Sequence, residues 1–137
     1  MRTVNDARTA FAMVWQLAWI SFAFERRPLG DLFARWARGP KKYAHKWTEA
    51  ERIKALSETV VYRMPNFGMG NCLKLSLLRF IHLRRRGFNV RFHMGVKPTA
   101  EGVTGHAWLT LNGEPLWEKD EFLKGFKETY SYPPLAD

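Results

Sequence analysis

Apolar residues recur along the chain with two different periods. From Thr9 to Phe24 the sequence reads TAFAMVWQLAWISFAF, uncharged throughout, and predicts a helix over about 5–25. Leu29, Leu32, Phe33, Trp36 and Ala37 fall at i, i+3, i+4, i+7 and i+8. That stripe predicts an amphipathic helix over about 29–38, stopped by Gly39-Pro40. A basic connector with Lys41, Lys42, His45 and Lys46 follows. Thr48 and Glu51 have the spacing of a capping box, which starts a helix running to about Tyr62 with Ile53, Leu56 and Val60 inward. Residues 63–70 hold Pro65, Gly68 and Gly70 and predict a loop.

Leu73, Leu75, Leu77, Leu78, Ile81 and Leu83 then mark a strongly apolar helix from Asn71. Arg84, Arg85 and Arg86 close it with charge that suits a helix C-terminus, and Gly87 is placed to cap it. Beyond Gly87 the period shortens. Strands are expected over 88–96, 106–111 and 114–119, with a loop over 97–104 and an Asn112-Gly113 turn. A short helix and an extended tail end the chain. Helices followed by strands make an α+β fold.

The uncharged stretch needs a length argument. Sixteen residues of helix span about 24 Å, short of the roughly 30 Å hydrocarbon core, and Gln16 and Ser21 interrupt it. A buried or partner-facing helix is favoured over a membrane-surface helix, and both over a spanning one. No secretory signal is evident, because no small-residue cleavage site follows the stretch.

Composition adds three bounds. The 137 residues suit one domain, and 46% hydrophobic content excludes wholesale disorder. With 22 Lys and Arg against 13 Asp and Glu, the net charge is +9, so an anionic partner is expected: an acidic peptide, a nucleic acid or a membrane surface. The tryptophans Trp15, Trp19 and Trp36 read as core or interface rather than as a stacking platform, so nucleic acid is the least favoured. The single cysteine, Cys72, excludes an internal disulfide and points to a reducing, cytoplasmic setting, with attachment to a membrane surface through residues 9–24 left open.

Cys72 is also the centre of the candidate chemistry. It opens a helix after Gly68-Met69-Gly70-Asn71, where free amides and the helix dipole stabilise a thiolate; Lys74 adds positive charge in the same turn. A buried structural cysteine fits the local context equally well. His106, at the start of a strand, tips the balance, because a His beside a Cys serves as base and then as acid to a leaving amine.

A third group should orient the imidazole. Glu118 is the candidate, with Glu114 and Asp120 as fallbacks. Hairpin parity separates two registers. A two-residue Asn112-Gly113 turn pairs His106 with Lys119 and puts Glu118 on the opposite face. A three-residue loop, Leu111-Asn112-Gly113, pairs His106 with Glu118 and segregates polar from apolar positions better; that register is expected. The Cys72 backbone N–H is placed for an oxyanion, and Asn71 or Asn66 could add a side-chain donor, although Asn71 also reads as a plain N-cap. His45, His82 and His93 have no metal spacing with Cys72, so no metal is expected. There is no GxxxxGK[ST] motif, and no cofactor is expected.

Taken together, Cys72-Leu73, Ser76-Leu77, Leu83-Arg84-Arg85-Arg86-Gly87, Met94-Gly95-Val96, His106-Ala107-Trp108 and Asn112-Gly113 resemble the transglutaminase-like family that includes the lasso-peptide leader peptidases. The resemblance covers about residues 48–120. It implies a papain-like cysteine peptidase core over 48–137, with 1–47 a helical segment that belongs to the same compact unit or faces a partner or membrane. It implies Cys72 as nucleophile, His106 as base and Glu118 at the acid's position, where such peptidases usually carry Asp. The implied reaction is removal of the leader from a ribosomally made precursor, which frees an amine for a separate ATP-dependent cyclase. Since the chain leaves no room for a fused leader-binding domain, a separate small leader-recognition protein is the implied partner. Another acyl-transfer enzyme on the same scaffold, and a non-enzymatic basic module, are the competing readings.

Overall fold

The structure is a computed structural model that describes residues 4–23, 46–63 and 71–133. The expected helix over 29–38 and Asn66 lie outside those residues. The elements are α1 (Val4–Ala23), α2 (Trp47–Arg63), α3 (Asn71–Arg85), β1 (Val90–Thr99), β2 (Gly102–Leu111), β3 (Glu114–Pro115), α4 (Asp120–Leu123) and β4 (Lys127–Tyr132). The strands form one antiparallel sheet in the order β3-β2-β1-β4. The fold is therefore α+β, with α3 packed against β1 and β2.

α3 is the axle of the core. Leu77, Leu78, Phe80, Ile81 and Leu83 are all fully buried. Phe80 meets Phe92 of β1 and Tyr132 of β4 edge-on, at 6.2 and 6.0 Å between ring centres. Ile53, Val60 and Val61 of α2 and Met13 and Leu17 of α1 close the other side. At the C-terminus of α3, Gly87 has φ 89°, and Phe88 N–H donates to Leu83 O at 3.0 Å while Gly87 N–H donates to Arg84 O at 3.1 Å. This is a Schellman cap, with Phe88 and Leu83 in its apolar contact.

α1 has the one-sided burial of a packed helix. Ala10, Met13 and Leu17 are buried, while Phe11 and Trp15 are 73% and 67% exposed. Gln16, which breaks the apolar run in the sequence, is buried for a reason. Its side-chain oxygen accepts from His82 Nε2 of α3 at 2.7 Å, and His82 Nδ1 faces Arg86 at 3.3 Å. Arg86 also donates to Glu49 of α2 at 2.7 Å, and Arg52 joins Glu49, Asp6 and Thr9. The arginine run that closes α3 is thus partly an internal tie between three helices. No helix among the described residues is long and apolar enough to cross a membrane.

Four expectations are corrected. α2 begins one residue before Thr48, with the Lys46 carbonyl accepting from Glu49 N–H at 3.0 Å. Thr48 is therefore inside the first turn and not at the cap. The stretch 97–104 is not a loop: β1 and β2 continue as a ribbon that turns at Ala100-Glu101. Pro98 is tolerated there because pairing with β4 ends at Val96. The tail is not free either, since residues 127–132 pair with β1 as an edge strand. Finally, the third strand stops after Pro115, and Thr110 pairs with Pro115 and Leu111 with Glu114. Asn112 (φ 52°) and Gly113 (φ 89°) form the two-residue turn, so the three-residue register is wrong.

Burial pushes the His82 imidazole down to about 3 from 6.5. Between those values an unfolded chain holds a proton there that the folded chain refuses. The contribution of His82 is therefore complete above pH 6.5 and is lost as pH falls toward 3. The urea midpoint of the wild type is expected to drop between about pH 7 and pH 4.5, and His82→Gln should flatten that drop.

Candidate active site

Cys72 is the second residue of α3, half-buried where the helix start meets β2. Two features hold it there. The first amides of α3 have no intrahelical partner, and that of Leu73, together with the Ala107 amide on β2, favours charge on the sulfur. One turn on, the buried Ser76 hydroxyl donates to the Ala107 carbonyl at 3.0 Å, pinning α3 to β2 beside His106.

His106 is the strand residue before Ala107, and its ring lines the same groove as the Cys72 thiol and is electrostatically coupled to it. Its Nε2 is held by both carboxylate oxygens of Glu118, each at 2.8 Å. That leaves Nδ1 for the sulfur. Glu118 and His106 side chains are 25% and 12% exposed, so the pair is only partly wetted. Glu114 and Asp120, the fallbacks, are exposed.

The two-residue turn should have put Glu118 on the wrong face. The chain corrects this at Trp117, whose φ is +61°. Leu116 N–H still donates to Leu109 O at 3.0 Å, so the ladder is regular up to that residue. The left-handed step at Trp117 then turns Glu118 back to the side of His106. Positive φ is costly for a bulky residue and persists only when the surroundings over-determine it. Here the indole lies against Trp47 at 6.0 Å, under Arg79 at 5.1 Å and under Lys54 at 5.6 Å. Arg79 is itself tied to Ser57 and Glu58 of α2 at 2.9 and 3.0 Å and feels the charge of Glu118.

The electrostatics of the pair are coupled. The hydrogen bond from His106 lowers the Cys72 pKa most, opposed by burial and helped by the Ala107 and Leu73 amides. The same bond to Cys72, then the bond to Glu118, raises His106 to about 9 from 6.5. Both shifts favour a thiolate beside an imidazolium at neutral pH. Lys74, in the same turn, is buried at 1% exposure.

The pair opens on a groove of ≈ 260 Å³ whose other walls include Leu73, Met94, Gly95, Val96 and Thr129. Thr129 is the extra residue of a β-bulge, since Met94 pairs with Tyr130 and Gly95 with Glu128. Asn71 is the exposed first residue of α3. Among the described residues, no group of three His, Cys, Asp or Glu could hold a metal ion.

Sequence reasoning missed the groups behind the pair. Phe122 and Phe126 lie 5.1 and 5.4 Å from the His106 ring, and Trp108 stacks on it at 6.0 Å. The i, i+4 spacing of Phe122 and Phe126 was the only signal for them. Ser76, a hydroxyl on an apolar helix, was the signal for the pin to β2.

A model of the transglutaminase-like superfamily matches residues 8–131, so the chain belongs to that superfamily. The match runs across residue 47, and α1 is packed into the same core as the strands. No curated protein and no solved structure matches the chain.

The ion pair makes a direct prediction. Alkylation of Cys72 by iodoacetamide should follow a titration lying below the ordinary thiol value. In His106→Ala that titration should move up, with alkylation at pH 7 slowed about 10-fold or more.

Proposed function

We propose that this member of the transglutaminase-like superfamily is a cysteine peptidase that removes the leader from a ribosomally made lasso-peptide precursor. The superfamily includes cysteine peptidases and acyl-transferases. The observation that carries the peptidase reading is His106, which shares one groove with the Cys72 thiol and is coupled to it, and which holds the Glu118 carboxylate on its other side. The leader-peptidase reading rests on the motif resemblance around Cys72 and His106.

In this reading, the Cys72 sulfur attacks the carbonyl carbon at the leader–core junction. The C–S bond forms and the oxygen becomes an oxyanion beside the Cys72 amide at the start of α3, where a well-placed donor contributes roughly 3–4 kcal/mol. The C–N bond then breaks, and the proton on His106 goes to the departing amine of the core. Water attacks the leader thioester, giving its proton back to His106, and the thiolate leaves as the leader acid is released. Glu118 holds the Nε2 proton and steadies the imidazolium throughout. Gly95, Val96 and Thr129 line the groove along which an extended peptide would lie. The freed amine suits an ATP-dependent cyclase, and a separate leader-recognition protein would deliver the precursor.

The reading is tested by mass spectrometry on a candidate precursor, with and without the leader-recognition protein. Cleavage that is lost in Cys72→Ala supports it. An added amine that replaces water in the leader product would identify an acyl-transferase instead. Intact precursor under all conditions, with the partner present, would overturn the reading.

The same assay has an expected pH limb. Because the imidazolium is the acid for the leaving amine, kcat/KM should fall as pH rises through about 9. Glu118→Gln is expected to bring that limb down in pH and to lower kcat/KM by about 10²-fold.

A further inference from the structure

The far face of the sheet carries a ring stack that the relay of Cys72, His106 and Glu118 does not explain. Trp108 lies parallel to His106 on one side, at 6.0 Å and 14°, and parallel to His93 on the other, at 5.5 Å and 9°. His93 cannot rotate, because its Nδ1 is bonded to Glu128 and its Nε2 to Thr110 at 2.9 Å. The indole is seated against the bare backbone of Gly95. A Cβ built on Gly95 would stand 2.9 Å from the Trp108 ring and 2.9 Å from the Lys127 carbonyl. Phe126 closes the remaining side at 6.2 Å from Trp108 and 5.4 Å from His106. Trp108 is 8% exposed.

We propose that Trp108, clamped between His93 and His106 and seated over Gly95, is a positioning residue that sets the plane of the His106 ring. A ring with Nε2 on Glu118 can still pivot about that bond, and pivoting swings Nδ1 off the Cys72 sulfur. The flat indole removes the pivot. His93, Thr110 and Glu128 act one layer further out, by fixing the wall that Trp108 leans on. A His93–Glu128 pair so near the groove touches neither Cys72 nor His106, and the clamp gives it a purpose.

This inference rests on the peptidase reading, so its test begins with a readout that needs no substrate. The pH dependence of Cys72 alkylation by iodoacetamide is measured for wild type, Trp108→Leu and Trp108→Phe, each checked for folding by circular dichroism. The charged groups around the pair are Glu118, Arg79 behind it and Lys97 over Phe126, and these variants leave all three in place. Trp108→Leu should move the titration up by about one pH unit, a roughly 10-fold slower alkylation near neutrality, and Trp108→Phe should restore most of it. In the cleavage assay, Trp108→Leu should lower kcat with little change in KM. A folded Trp108→Leu with the wild-type titration overturns the clamp. Should Trp108→Leu fail to fold, His93→Ala decides, because it removes the outer wall of the clamp and leaves Trp108, Gly95 and the groove backbone unsubstituted: a raised titration supports the clamp and an unchanged one overturns it. A wild-type Cys72 that titrates as an ordinary thiol would overturn the peptidase reading itself, a result separable from either of these.

Discussion

Ser76 lies one turn after Cys72, and its buried hydroxyl holds the Ala107 carbonyl at 3.0 Å. That bond sets the start of α3 against β2 at the one point where the thiol and the imidazole can meet. The core fixes the rest of the approach. Phe80 is wedged against Phe92 and Tyr132, so α3 cannot slide along the sheet without opening the aromatic layer beneath it. A buried hydroxyl that lost its acceptor would cost roughly 1–3 kcal/mol, which makes the contact a specifying one as well as a stabilising one.

The chain is strongly basic, yet its charges near the site are arranged rather than merely abundant. Arg86 and Arg52 meet on Glu49 and bind three helices together. Arg79 holds Glu58 and stands over Trp117. The positive charge that acts on the Cys72 sulfur is therefore the imidazolium of His106, a charge that can be given away in a reaction, and not a fixed lysine or arginine. Glu118 supplies the opposing charge that keeps His106 protonated. The same logic runs in reverse at His82. Buried between Gln16 and Arg86, it is held neutral where His106 is held charged.

Local signals in the sequence were enough wherever the physics is local. The 3.6-residue stripe of Leu77, Ile81 and their neighbours, the glycine that caps α3 and the Asn112-Gly113 turn need only nearby residues. The ribbon over 97–104 was hidden because its residues are exposed and carry no alternating pattern; backbone pairing alone extends it. Phe122 and Phe126 were hidden because the first lies on a four-residue helix, too short to show a face, and the second lies past its end.

The sequence by itself determined that the chain is α+β, that a cysteine begins an apolar helix and that a histidine lies on a strand after it, although that strand starts at Gly102 and not at His106. It also singled out Glu118, by way of a hairpin register the structure does not have. Only the tertiary structure decided how Glu118 reaches His106. Side-chain parity in a hairpin is a local rule, and it points Glu118 away once the turn has two residues. One left-handed residue, Trp117, reverses it. That conformation is disfavoured by the chain's own sterics and is held by Trp47, Lys54 and Arg79, which come from two other helices. No pattern within residues 106–118 carries that information, because the contacts that hold the bend are not in it.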